Sequence, residues 1–374
     1  MSSAGAAPRS PASAASFVGT FALIFTAIAG LFALDTFLAD RERAANRSEA
    51  RRLLKEGLQL MDRGAMPDAV DRLRSAVSAE RENPVYQRAL AAALVTAGEW
   101  DDAEAVLTER LQHDPLDAEA SLLMARALAG EGDTRQAIAF YHRAIYGQWG
   151  AGAGGGRIRA RFELVDLLAS THDPPELLAE LLPLQTEAPT DVRTRKRIAR
   201  LFIAAGAPTR AIEIFGDVVR RDRHDADGYA GLGEAELQLG NYRSACRHFA
   251  TAVKLGGDDR PAEARLELCT RVLALDPTQR GLGPVEQHRR SRDLLAATLE
   301  AFENCTGPGP HPAQPPLADS ARAALARPAP PSPTAGAVEE NLDLAERLWR
   351  LRTPPCPMSP SGLAADLLLQ RLAE

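Results

Sequence analysis

Small alanine residues mark a period of 34 residues along this chain of 374 residues. They occur in two runs: Ala69, Ala103 and Ala137, then Ala211 and Ala245. We call the repeated alanine position the slot. Between the two runs the slot holds Leu177, which lies 34 residues before Ala211 but 40 after Ala137. The six extra residues correspond to a glycine-rich insert at 151–156. A chain with this period is expected to fold as a row of similar units, each covering the apolar face of its neighbour.

Three further columns keep the same phase and predict a helix, a tight turn and a second helix in each unit. Five residues before the slot stands glycine, which tolerates a left-handed turn; His172 replaces it in the fourth unit. Four residues after the slot stand large side chains that fill the space between helices: Leu73, Leu107, Tyr141, Leu181, Phe215 and Phe249. The column thirteen residues before the slot holds Glu56, Leu90, Met124, Leu164, Ile198 and Leu232.

These columns resemble the tetratricopeptide repeat (TPR) family over six units, from Glu49 to Gly257. The sixth unit matches best, through Tyr229, Leu232, Gly233, Gly240, Asn241, Tyr242, Ala245, Phe249 and Ala252. The resemblance implies an all-α fold, a TPR-like α-solenoid of about six helix–turn–helix repeats. An aromatic content of only 5% agrees with helices rather than a β-sandwich.

The residues after the array predict a helical cap, a linker and two last helices. Helices within 258–305 have apolar spacing that suits a cap over the final repeat. Residues 306–337 are rich in proline and predict an extended linker with room for a short helix. Helices follow within 338–374, and the first of them either docks on the repeats or binds a partner.

The N-terminal segment predicts a membrane anchor. Residues 1–15 are expected to form a disordered tail, and 16–39 are apolar enough for one transmembrane helix. A cleaved signal peptide and a buried core helix are the alternatives. A signal peptide is expected to begin with several basic residues, but Arg9 is the only basic side chain before the apolar stretch. Because six basic residues follow the span closely, the positive-inside rule places the body in the cytoplasm, with the periplasm as the alternative. The preference for arginine over lysine is typical of a GC-rich genome, so we expect a bacterial inner membrane.

The sequence offers no pattern for catalysis, and we expect no catalytic residue, cofactor or metal site. The glycine run at 151–156 follows a helix and lacks the Gly-Lys-Ser/Thr of a phosphate loop. Cys246 and Cys269 are expected to be small buried side chains, whereas Cys305 and Cys356 either pair or remain reduced thiols. A net charge of −6 argues against nucleic-acid binding.

The family resemblance also suggests a partner-binding groove. In such repeats the second, fifth and ninth residues of each unit face the concave side. Basic residues occupy these places at Arg88, Arg126, Arg159, Arg193, Lys196 and Arg200. They form a candidate strip for an acidic peptide, or else a solvated charged face.

Taken together, these features predict a membrane-anchored scaffold or adaptor. It would mediate protein–protein interaction or the assembly of a membrane-associated complex, without catalysis, nucleic acid or a small-molecule substrate. The alternative is a structural accessory subunit of a membrane complex, held by its transmembrane and C-terminal helices.

Overall fold

The computed structural model describes residues 12–150, 155–171, 174–256, 260–306, 315–352 and 360–373. Seventeen α-helices fill most of these ranges, joined by short turns. They are α1 Ala12–Asp62, α2 Met66–Ala79, α3 Pro84–Ala97, α4 Trp100–His113, α5 Ala118–Glu131, α6 Thr134–Tyr146, α7 Gly156–Thr171, α8 Pro174–Glu187, α9 Val192–Ala204, α10 Pro208–Arg221, α11 Ala226–Gln238, α12 Tyr242–Gly256, α13 Arg260–Leu275, α14 Pro284–Thr306, α15 Pro315–Ala326, α16 Ala335–Leu351 and α17 Pro360–Ala373. The expectation of an all-α, TPR-like fold is confirmed.

The chain divides into two compact units, unit 1 up to Leu167 and unit 2 from Leu168. In unit 1, α1 to α6 pack as successive antiparallel neighbours, each on the next. The first helices of consecutive repeats also contact one another, α1 with α3 and α3 with α5. This two-layer stacking is the expected α-solenoid packing, because each helical hairpin covers the apolar face of the one before it.

The repeat columns lie where their chemistry requires. All five alanines of the period are completely buried, and the large side chains four residues later are buried as well. Glu56 is the exception in its column, since it is half-exposed and forms an ion pair with Arg52 Nη1 at 2.8 Å. The turn glycines, Gly64, Gly98, Gly132, Gly206 and Gly240, have φ between 69° and 90°. A side chain with a Cβ is strained in this left-handed region, so glycine ends the first helix of these repeats.

Within unit 2, neighbouring helices from α8 to α13 pack on one another, and four more helices follow them. Helices α14 and α17 pack on α13, and α16 packs on α14. A single buried cluster contains Val272 of α13, Leu294 of α14, Leu348 of α16 and Leu368 of α17. The helix expected to begin near residue 338 was predicted either to dock on the repeats or to bind a partner. In the structure it is α16, which packs on α14 of the same chain.

Two cysteines of unit 2 differ from the expectation of separate buried thiols. Cys246 of α12 and Cys269 of α13 form a disulfide, with their Cα atoms 5.7 Å apart. No spacing pattern predicts this bond, because the two residues meet only when the last repeat packs on the helix that follows it. The bond ties that repeat to the helices that cover it.

The proposed membrane helix lies at the start of α1. Among the residues whose side chains are described, no helix contains a stretch long and apolar enough to cross a bilayer. The side chains of residues 12–24, the first part of the expected span at 16–39, are outside the described set. The membrane anchor is therefore not shown, and it stays a prediction.

Several other predictions fall partly or wholly on residues outside the described ranges. These are the tail at 1–15, the insert at 151–156, His172, the linker at 306–337, and the pairing of Cys305 with Cys356. Within the linker, the described part contains the helix α15.

Candidate functional site

The first helices of several repeats begin at an acidic or amide side chain that accepts a backbone hydrogen bond. The oxygens that accept, with their N···O distances, are Asn83 Oδ1 from Val85 (3.0 Å), Asp117 Oδ1 from Ala120 (3.0 Å), Asp191 Oδ1 from Thr194 (2.9 Å) and Asp225 Oδ1 from Gly228 (2.7 Å). These caps satisfy donors that have no partner inside the helix. Two of them, Asp117 and Asp225, also place a carboxylate against the first helix of the preceding repeat.

In unit 1, Arg88 of α3 reaches the start of α5. Its Nη1 donates to Asp117 Oδ2 at 2.9 Å, and its Nε lies 3.1 Å from a Glu119 carboxylate oxygen. Arg110 Nε donates to the same Asp117 oxygen at 2.8 Å. Burial acts to raise the pKa of Asp117, but the Ala120 N–H and the two guanidinium groups outweigh it and lower the pKa. Arg88 is thus part of a partly buried network centred on Asp117.

Arg126 of α5 is paired as well. Its guanidinium donates two hydrogen bonds to Glu163 of α7, at 2.8 and 2.6 Å, and these raise the pKa of Arg126. Tyr141 donates a longer hydrogen bond, 3.4 Å, to the same carboxylate. Burial, and then the negative charge of Glu163, raise the pKa of Tyr141. Arg159 of α7 is exposed, and no ion pair links it to any acidic residue in the described part of the chain.

In unit 2, Lys196 of α9 repeats the geometry of Arg88. Its Nζ lies 3.1 Å from both carboxylate oxygens of Asp225 and 2.9 Å from Asp227 Oδ2. Arg200, one turn further along α9, also pairs with Asp227. Arg193 is exposed and has no ion-pair partner among the residues described.

Four of the six basic residues predicted to line a groove are therefore held by carboxylates of the next repeat. An ion pair leaves little net field for a ligand to sense, so the charge on which an acidic-peptide site would depend is largely compensated. Whether any of the six contacts a partner stays a prediction.

A cleft of about 400 Å³ opens on the first helices of unit 2. Its lining comes from α9 (Arg200, Ile203), α11 (Asp227, Ala230, Gly231, Glu234), α12 (Phe249) and α13 (Pro261, Ala262, Arg265). The volume lies within the range of about 300–1,000 Å³ that is usual for ligand pockets. We call this the α11 cleft.

The α11 cleft is hollow because α11 carries two small residues at its centre. Ala230 and Gly231 lie between Asp227 and Glu234, which leaves the helix surface almost bare for one turn. A Cβ on Gly231 would lie 2.3 Å from the ring of Phe215, so the packing of α10 excludes any larger residue there. The floor of the hollow is therefore apolar.

The rim of the α11 cleft has charged side chains whose net charge is zero. Arg265 Nε lies 3.1 Å from Glu234 Oε2 on one side, and Arg200 and Lys196 hold Asp227 on the other. Burial acts to raise the pKa of Asp227, but the hydrogen bonds from Lys196 and Arg200 more than offset it and lower the pKa. For Lys196, burial acts to lower the pKa, and the two aspartates reverse the effect and raise it. The cleft thus presents an apolar surface between two ion pairs.

Sequence reasoning named Arg200 but missed the carboxylates that face it. The same rule for the second and ninth positions, applied to the sixth unit for acidic residues, gives Asp227 and Glu234. Within the described residues, no group of three or more His, Cys, Asp or Glu side chains is arranged to hold a metal ion.

Comparison with known proteins agrees with the repeat geometry. A family model for the tetratricopeptide repeat matches residues 60–127, 94–146 and 202–267. Serine/threonine-protein phosphatase 5 of Rattus norvegicus is 29% identical over 101 residues, which are 26% of this chain and 19% of that protein. The chain therefore spans about one fifth of the length of this relative.

Two solved structures are also similar, at low identity. YrrB, described as a TPR protein with an unusual peptide-binding site, is 17% identical, with a TM-score of 0.42, over 51% of this chain and 95% of its own. PilW, described as a widely conserved type IV pilus biogenesis factor, is 16% identical, with a TM-score of 0.42, over 58% of this chain and 96% of its own. With the matched ranges and the buried repeat columns together, the chain contains tetratricopeptide repeats, in residues 60–146 and 202–267.

Proposed function

We propose that this protein is a membrane-anchored scaffold that binds a protein partner through the α11 cleft and catalyses no reaction itself. The observation that carries the proposal is an apolar hollow on the first helices of successive repeats. It lies between two ion pairs, and within each pair the two charges cancel. Such a surface recognises shape and apolar area, which are the means by which one protein binds a segment of another.

The partner segment that fits is a peptide with one bulky apolar side chain over Ala230 and Gly231. Burying such a side chain contributes about 1.5–3 kcal/mol. Backbone groups of the peptide then have the rim side chains as hydrogen-bond partners. An acidic residue of the partner finds an unpaired cation, among the described residues of α9, at the exposed Arg193, two turns before Arg200.

Filling the hollow should abolish this binding. Peptides selected from a displayed random library against the detergent-solubilised chain are expected to share a bulky apolar residue. Ala230→Phe should weaken their affinity at least about tenfold, since it occupies the volume of the anchor. Fluorescence anisotropy with labelled peptides measures the effect.

Ala250→Phe is the matched control, because Ala250 is exposed on the second helix of the same repeat. Its affinity should stay within about twofold of the original. Equal binding by Ala230→Phe and the unmodified chain would remove the α11 cleft from the proposal.

The membrane anchor is the second part of the proposal, and the described portion of α1 supports it. Phe25, Ile28, Leu31, Phe32, Leu34, Phe37 and Leu38 are each 54–73% exposed. At about 100° per residue they cover about two thirds of the circumference of the helix, and the small apolar residues Ala29 and Ala33 lie in the remaining sector. A helix that is apolar all round needs an apolar surrounding on every side, which a bilayer provides.

The disulfide supports the periplasmic side for the body, the alternative to the cytoplasmic placement from the basic-residue count. Disulfides persist in the bacterial periplasm and are reduced in the cytosol. Large domains cross the membrane with little regard to flanking charge, so the arginines after the span do not oppose this placement.

A reporter experiment tests the anchor and its orientation together. Alkaline phosphatase, which is active only where disulfides form, is fused after Arg52. We expect activity in the membrane fraction, and loss of that activity when residues 16–39 are deleted. Activity in the soluble periplasmic fraction would indicate a cleaved signal peptide instead. An inactive fusion would indicate that the body lies in the cytoplasm.

The accessory-subunit alternative gains no support from the C-terminal helices. The apolar residues of α16 and α17, among them Leu344, Leu348 and Leu368, are buried against the chain's own α13 and α14. These faces are already used, so we place partner binding in the α11 cleft.

A further inference from the structure

A second pocket of unit 2 lies at the other end of the last repeat. It has a volume of about 340 Å³ and is formed by the turn before α12, the loop between α13 and α14, and the C-terminal helix α17. None of its lining residues belongs to the α11 cleft. We call it the C-terminal pocket.

Specific contacts fix the walls of the C-terminal pocket. Tyr242 Oη donates to the carbonyl oxygen of Leu367 at 2.5 Å, which ties α12 to α17. Arg371 Nη2 lies 2.9 Å from Asp276 Oδ2, and its guanidinium stacks 5.4 Å from the centre of the Tyr242 ring. The pocket is therefore built by three elements that hold one another in place.

The charge of this pocket is positive. Three arginines line it, Arg243, Arg280 and Arg371, together with a single carboxylate, Asp276. Asp276 is buried and fully engaged, since it accepts from the Thr278 N–H at 2.9 Å and the Thr278 hydroxyl at 2.6 Å as well as from Arg371.

Arg243 and Arg280 keep their charge uncompensated. Both are exposed, and neither forms an ion pair with any acidic residue among those the structure describes. This differs from the α11 cleft, where every cation of the rim is paired. Two free guanidinium groups at one pocket of a protein with a net charge of −6 concentrate positive potential there.

We propose that the C-terminal pocket binds an oxyanion group, a carboxylate or a phosphate, through Arg243 and Arg280. Guanidinium groups donate paired hydrogen bonds to such groups, and the charge makes each bond stronger than a neutral one. The Ser244 hydroxyl, also in the lining, adds a neutral donor. An acidic group of a partner would thus have a place to bind at the end of the repeats, separate from Arg193 on α9.

Ligand-observed NMR on the detergent-solubilised full chain tests this site. Inorganic phosphate is followed by the width of its ³¹P line, and succinate by saturation transfer, both at constant ionic strength against chloride. We expect saturable binding of at least one probe, and the probe that binds tells which oxyanion chemistry the pocket takes. Arg243→Gln and Arg280→Gln should each weaken that binding about tenfold or more.

Arg220→Gln is the matched control, because Arg220 is an exposed arginine of unit 2 that pairs with Asp217 outside the pocket. It should leave probe binding unchanged. The proposal is overturned if neither probe binds saturably, if the double variant of Arg243 and Arg280 binds as well as the original, or if Arg220→Gln weakens binding equally. Since the pocket shares no residue with the α11 cleft, this result is independent of peptide binding there.

Discussion

Replacing Phe249 with alanine is expected to lower the free energy of unfolding by about 3–5 kcal/mol, the usual cost of deleting a buried aromatic side chain. Phe249 is 1% exposed and belongs to the apolar cluster that continues into the C-terminal helices. A Cβ on Gly233 would lie 2.7 Å from its ring, so the ring already packs directly on the backbone of α11. The cavity left by alanine cannot close easily, because the disulfide between α12 and α13 restrains the same region. Urea denaturation followed by circular dichroism measures the loss.

Leu239→Ala is the control for this variant. Leu239 is an exposed apolar residue of unit 2, just after α11. Its removal should change the free energy of unfolding by no more than about 0.5 kcal/mol. A Phe249→Ala chain as stable as the Leu239→Ala chain would contradict the packing described for the last repeat.

The second large effect is expected at Asp117 in unit 1, where Asp117→Ala should cost about 3–5 kcal/mol. Asp117 is 5% exposed, and the Arg110 side chain that it holds is only 12% exposed. Without the carboxylate, Arg110 and Arg88 keep buried charges with one partner fewer. The start of α5 also loses the side-chain oxygen that accepts from Ala120 N. The same denaturation experiment measures the change.

The effect of Asp117 should depend on pH in a defined direction. Because its pKa is lowered in the folded state, the folded chain binds this proton less readily than the unfolded chain does. The stabilisation is then complete above the ordinary aspartate value of about 3.9 and is lost as the pH falls through the folded pKa. The difference between the original and Asp117→Ala should therefore be constant near neutral pH and shrink in acid.

Glu109→Ala serves as the control for Asp117→Ala. Glu109 of α4 pairs with Arg81 at 3.1 Å, and the two side chains are 40% and 75% exposed. Exposed ion pairs contribute about 0–1 kcal/mol, so this variant should stay close to the original. A loss at Glu109 as large as that at Asp117 would show that burial does not govern these networks.

The repeats were predictable because their signal is local and periodic. Every 34 residues, two helices pack so closely that only a small side chain such as that of Ala103 fits between them. In the turn before it, the backbone adopts a positive φ that favours glycine, as at Gly98. A single residue type at a fixed place then reports on the backbone around it. Glu56 departs from the apolar pattern of its column, but the repeat still forms, because this position is partly exposed and the carboxylate pairs with Arg52.

The site was only partly predictable, because its properties depend on contacts between repeats. The basic residues at Lys196 and Arg200 were found from position alone. Their neutralisation by Asp225 and Asp227 requires the distance between α9 and α11, which the sequence of one repeat does not contain. The hollow at Ala230 is likewise defined by its neighbours on three other helices.

The C-terminal elements show the same limit. The amphipathic pattern of residues 338–351 predicted a helix, but not the surface on which it docks. The Cys246–Cys269 bond joins residues 23 positions apart on two helices, and only the packing of α12 on α13 brings them together. Long-range pairing of this kind follows from tertiary structure rather than from local pattern.

A crystal structure of the chain with a peptide selected by its binding would show directly whether the α11 cleft holds the partner. We expect a bulky apolar side chain of the peptide over Ala230 and Gly231, between the Arg200–Asp227 and Arg265–Glu234 pairs, with both pairs intact. A peptide bound elsewhere on the chain, with the α11 cleft empty, would contradict it.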